Sequence, residues 1–138
     1  MSRVVVVDSS VAVKWFVLED EDPDVGAALE LLRRHREAQV VLNAPSLLRL
    51  EVLDALRFGG LDREGLRAVA ESLEAMRLDW HDTDAEFSAN AAEIAVGYGL
   101  TVYDSVFVAL ALRLDAELIT ADRRLAECGE CTVRLLGE

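Results

Sequence analysis

The chain has 138 residues, of which 52% are hydrophobic and 6% aromatic, enough for one compact core and too little for a second. Its net charge of -12 excludes affinity for nucleic acid through a broadly basic surface, because such binding relies on Lys and Arg neutralising phosphates. No apolar run approaches a membrane span, and MSRVVVVDSS turns polar too early for a secretory signal, so a single cytoplasmic domain over residues 1–138 is expected.

The first predicted element is the β-branched run Arg3 to Val7, continuous enough for a strand covered on both faces of a parallel sheet. It ends at Asp8. Residues 9–17 form a short apolar helix, and EDEDPD at 19–24 links it to a second helix over about 24–38; these acids suit a solvated helix start better than a calcium loop. Val40 to Leu42 is a second strand, and Pro45 opens a helix that runs to Phe58 and stops at Gly59 and Gly60. Asp62 caps a helix to about Met76, Leu78 to His81 is a third strand, and Asp84 caps a helix to Tyr98 that Gly99 ends. Asp104 then caps an apolar helix to Leu114, Glu117 to Thr120 is a strand, Asp122 caps a short helical turn, and residues 132–136 form the last strand. Alternation of this kind predicts a three-layer α/β/α sandwich around a mainly parallel sheet of about five strands, with ligands gathering at the strands' carboxyl ends.

Asp8 and Asp122 fall at such ends, where capping explains each carboxylate but not their shared location. Glu51 falls in the row Ala44, Leu48, Glu51, Ala55, Phe58, among apolar neighbours where an unpaired carboxylate would be pushed toward its neutral form. Its bland reading is an acid at the edge of the apolar stripe. Carboxylates gathered in one crevice repel one another, and a hard divalent cation relieves the repulsion; an all-oxygen donor set suits Mg²⁺ or Mn²⁺ better than zinc. One or two such ions would activate water against a phosphodiester with no protein nucleophile.

Four stretches, VVVVDSSVAVKWF, APSLLRLEVLDAL, LTVYDSVFVALAL and LITADRRL, resemble in order and spacing the signatures of the PIN domain, in particular its VapC-like toxin branch. The resemblance spans about residues 4–125. It implies catalytic, metal-binding acids at Asp8, Glu51, Asp104 and Asp122, with Ser10 and Thr120 as polar support. It further implies endonucleolytic cleavage of RNA to a 5′-phosphate and a 3′-hydroxyl, an antitoxin partner and a homodimer. One departure is Asp54, where this branch often has Asn; it reads equally as an added outer acid or as a solvated helix residue.

Lys14, Arg123 and Arg124 are the better candidates for RNA phosphates, with Arg49 and Arg57 behind them; Arg33, Arg34 and Arg36 complement a helix dipole. Trp15 and Phe16 are expected at a protein interface, and the acidic total charge suits a partner with a basic segment. Cys128 and Cys131 read as ordinary thiols, since a zinc site needs two more ligands. A haloacid-dehalogenase-type phosphatase needs an acid where Ser10 stands, and a receiver domain needs a lysine after a late strand. The remaining alternative keeps the fold as a non-catalytic module whose acids dock a basic protein.

Overall fold

The computed structural model describes residues 2–18 and 22–138. Glu19, Asp20 and Glu21 of the acidic link lie outside the described residues, as does Met1. Five strands form one sheet in the order β3-β2-β1-β4-β5: β1 Arg3–Val7, β2 Val40–Pro45, β3 Asp79–His81, β4 Glu117–Thr120 and β5 Val133–Leu135. Every pairing is parallel, so the sheet is wholly rather than mainly so. Val5, Val6 and Val7 are fully buried, as a strand covered on both faces requires.

The helices are α1 Ser9–Ala12, α2 Val25–Arg36, α3 Leu47–Phe58, α4 Arg63–Ala75, α5 Ala85–Tyr98, α6 Val102–Leu114 and α7 Arg123–Ala126. Right-handed crossovers place α1 to α4 on one face of the sheet and α5 to α7 on the other. α6 packs across β1, β2 and β4, and its residues Ser105 to Ala111 are all buried, so an apolar run with little periodicity becomes the central helix. No single described helix is long and apolar enough to cross a membrane.

Several boundaries differ from the sequence reading for local reasons. The helix expected over 9–17 splits, with a 3₁₀ turn at Val13–Phe16 following α1. There Trp15 turns inward: it is buried and its Nε1–H donates to the Ala28 carbonyl at 2.9 Å. Trp15 is therefore a core residue tying this turn to α2, not an interface residue, and Phe16 packs against the same core. Pro45 ends β2 instead of opening α3, as a proline at a strand's last position can. Asp104 is not the cap of α6: Thr101 holds that position, accepting from the Asp104 N–H at 3.0 Å, so Asp104 lies in the first helical turn.

Two polar side chains inside the fold serve structure. His35 Nδ1 accepts the Leu42 N–H at 3.1 Å, so Nε2 carries the proton and donates to the Met76 carbonyl at 3.0 Å. One imidazole thus joins α2, β2 and the end of α4. Buried Asn43 donates to the Val41 carbonyl and meets His81 Nε2 at 2.8 Å, which satisfies a polar residue within an apolar strand.

Candidate active site

The order in which strands are added reverses at β1: the chain moves outward from β1 to β2 and β3 on one side, then returns to place β4 and β5 on the other. The carboxyl ends of these two strands flank the crevice that such a switch creates. β1 delivers Asp8, which is 5% exposed and whose extended backbone makes it the cap of α1. Asp8 Oδ1 accepts from Ser10 Oγ at 2.6 Å and from the Val11 N–H at 3.3 Å, while Oδ2 accepts from Thr120 Oγ1 at 2.5 Å.

Thr120 is fully buried at the end of β4, and its hydroxyl also accepts the Asp122 N–H at 3.0 Å. Ser10 Oγ accepts the Ala121 N–H at 2.9 Å. The two hydroxyls therefore lock Asp8 to the β4 end from both sides. Burial pushes the Asp8 carboxyl above its ordinary range; the hydrogen bonds from Ser10, Thr120 and Val11 act against this, and the Asp104 charge adds to it.

Glu51 enters from α3, half-buried, with Ser9 Oγ donating to Oε1 at 3.2 Å. Burial raises its carboxyl, the Ser9 bond opposes the rise, and the charges of Asp104 and Asp8 reinforce it. Glu51 thus feels the charges of Asp8 and Asp104, and Asp8 feels that of Asp104. The row proposed for Glu51 does not hold as drawn: Ala44 belongs to β2, Ala55 and Phe58 are exposed, and the buried side of α3 is Leu48 and Val52. Glu51 lies at the edge of that side, turned to the crevice through Ser9.

Asp122 caps α7, its Oδ1 accepting the Arg124 N–H at 2.9 Å, and joins the group through its own N–H to Thr120. Asp104 Oδ2 lies 3.6 Å from Arg124 Nη2, the one Lys or Arg side chain among the described residues that pairs with any of the four acids. Lys14, expected to face phosphates, is instead taken up by Asp22 in a mostly buried ion pair. Asp54 is exposed and lines a groove between α3 and α4. Ser9 had no signal in the sequence beyond its place after Asp8, because its partner lies 42 residues away.

Among the described residues no three acids stand close enough to enclose an ion as placed. Their chemistry nevertheless fits one. Asp8 and Glu51 are driven toward their neutral forms by burial and by neighbouring carboxylates, Asp104 acting on both, and a hard divalent cation would relieve both causes. Cys128 and Cys131 take no part; both are free, and burial pushes the Cys131 thiol up to about 11.

A wholly parallel sheet between two layers of helices defines a class of α/β proteins whose ligands bind outside the carboxyl ends of the strands, where these acids lie. The PIN domain family model matches residues 5–130, and the chain belongs to that family. Ribonuclease VapC3 of Pyrobaculum aerophilum is 46% identical over 43 residues; that match covers 31% of this chain and a third of the curated relative's length (33%). Among solved structures, VapC20 of Mycobacterium tuberculosis, described as a Sarcin-Ricin loop cleaving toxin, superposes with a TM-score of 0.68 at 16% identity, covering 91% of this chain and 95% of that one. VapBC2 of Rickettsia felis, bound to a DNA fragment from its promoter, gives 0.67 at 14% identity, covering 96% and 98%. At such identities the structures share the fold.

Proposed function

We propose that this chain is an endoribonuclease dependent on Mg²⁺ or Mn²⁺, and the toxin of a toxin–antitoxin pair. The observation that carries the reading is the buried Asp8, bonded to Thr120 and Ser10 and sharing its crevice with Glu51 and Asp104. PIN membership and the likeness to VapC proteins support it. Asp8, Glu51, Asp104 and Asp122 would hold one or two cations, which supply a water acidified for attack on phosphorus and a counter-charge for the leaving oxygen. The protein's own contribution is positional. Thr120 and Ser10 fix the Asp8 carboxylate, Ser9 steers Glu51, and the cap bond to Arg124 N–H holds Asp122 at the crevice rim. In a protein of net charge -12, RNA is held locally by the metal and by arginines near it.

An antitoxin segment fits the groove of about 630 Å³ between α3 and α4, lined by Leu50, Leu53, Leu66 and Ala70. Leu50 is 67% exposed and Phe58, at the end of α3, 85%. Arg57, Arg63 and Arg67 outnumber Asp54 and Glu71 along it, so the matching segment is apolar with acidic residues, despite the acidic chain as a whole. A homodimer completes the proposed assembly, and light scattering of the purified chain, alone and with antitoxin, measures both associations.

The deciding experiment is cleavage of total cellular RNA by protein freed of copurified partners, with Mg²⁺ or Mn²⁺, with EDTA, and with Asp8→Asn and Asp104→Asn. Metal-dependent cuts abolished by both substitutions establish the nuclease. A wild type that binds no divalent ion and cuts nothing returns the chain to the alternative, a PIN-fold module that docks a protein partner.

A further inference from the structure

We propose that Arg124 is an exchangeable counter-ion, paired with Asp104 in the metal-free protein and released to an RNA phosphate when a divalent cation takes Asp104. The proposal rests on the metal-dependent ribonuclease reading above and assigns a positioning role within it.

Arg124 is fixed at its base and free at its head. Its backbone N–H donates to Asp122 Oδ1 at 2.9 Å, and its Nη2 reaches to 3.6 Å from Asp104 Oδ2. One residue therefore touches two of the four acids, through different atoms. The neighbouring Arg123 makes no such pair, and Lys14, the other cation once suited to the task, is held by Asp22.

The geometry of the pair favours exchange over permanence. The Arg124 side chain is 67% exposed and that of Asp104 31%, with a single contact longer than a good charge-assisted hydrogen bond. Water screens such a pair, and a divalent ion at Asp104 would outcompete it. Once displaced, the guanidinium stays at the crevice rim, because the cap bond is made by its backbone and does not depend on the side chain. Its fork of donors then matches the two free oxygens of a phosphate beside the one held at the metal.

Two opposite effects on binding follow, and both are read without catalysis. Titration calorimetry with Mn²⁺ alone on Arg124→Met should show metal bound about three- to tenfold more tightly than by the wild type, since a competing cation has gone. Fluorescence anisotropy of a short labelled single-stranded RNA with Ca²⁺, its integrity checked on a gel, should show the same variant binding about tenfold more weakly. Its plot of log affinity against log salt should be shallower by roughly 0.7, the value of one single-strand phosphate contact. Arg124→Lys, which keeps the charge and loses the fork, should fall between. Weaker Mn²⁺ binding by Arg124→Met would make Arg124 a fixed brace for Asp104, and unchanged RNA affinity would deny the phosphate contact; either result overturns the proposal. A wild type that binds neither Mn²⁺ nor RNA instead removes the nuclease reading beneath it, which separates the two failures.

Discussion

Thr120→Val tests the lock on Asp8 with almost no change in shape, because valine replaces the hydroxyl by a methyl and leaves no cavity. The substitution removes the donor to Asp8 Oδ2 and the acceptor of the Asp122 N–H. A hydrogen bond to a charged group contributes about 1.5–3 kcal/mol, and a half-buried N–H left unpaired costs about 1 kcal/mol more. The expected loss is therefore about 2.5–4 kcal/mol, or a fall in Tm of roughly 9–14 °C for a chain of this size. Urea unfolding in EDTA at neutral pH measures it, with Thr120→Ser, which keeps the hydroxyl, as the control. The bond to Thr120 favours the ionised Asp8, so the gap between wild type and Thr120→Val should narrow as pH falls through the Asp8 pKa. A change below about 0.5 kcal/mol, or equal losses for Ser and Val, would refute the lock.

Three further outcomes follow from the same geometry. Because the folded-state carboxyls of Asp8 and Glu51 lie above their ordinary values, their protons stabilise the metal-free fold fully below the unfolded pKa, and that stability is lost as pH rises through the folded pKa. Asp8→Asn should accordingly be more stable than wild type at neutral pH in EDTA and no more stable in acid; a Tm–pH series in which the variant is less stable throughout would contradict this. His35→Ala should cost about 2 kcal/mol by loss of two bonds between α2, β2 and α4, and a change under about 0.5 kcal/mol in urea unfolding would show that the imidazole is dispensable. Cys131, its thiol pushed up to about 11 chiefly by burial, should alkylate far more slowly than free cysteine at neutral pH, and rapid labelling seen by mass spectrometry would argue against the packed position.

Most of the strands, and the caps Asp8, Asp62, Asp84 and Asp122, were legible because each rests on a short-range signal: an apolar, often β-branched run, or an acid two or three residues before a backbone N–H that needs an acceptor. Asp104 was misplaced by one turn because Thr101 competes for the same capping position and an acid in the first turn gives a similar pattern. What the sequence concealed depends on contacts between distant segments. Trp15 looked like interface material until α2 supplied a carbonyl for its indole, and Lys14 looked free until Asp22 folded against it. The pairing of Ser9 with Glu51 and of Arg124 with Asp104 had no local sign. Asp8 and Asp122 stood out through their places at strand ends, a property of topology that parallel alternation discloses, whereas Glu51, on α3, stood out by its apolar neighbours and Asp104, in α6, only through the family resemblance.

The hydrogen bond from Thr120 to Asp8 joins residues 112 positions apart, and Asp104 and Asp122 likewise come late in the chain. A polypeptide still being made by the ribosome, and ending short of α6, therefore carries Asp8 and Glu51 with Ser9 and Ser10, but neither Thr120 nor the remaining acids. Strand β4 must slot in beside β1 before the crevice has a second wall. If the chain is the toxin proposed, it is harmless through most of its own translation, and the cell gains that interval for its antidote to be waiting when β4 emerges.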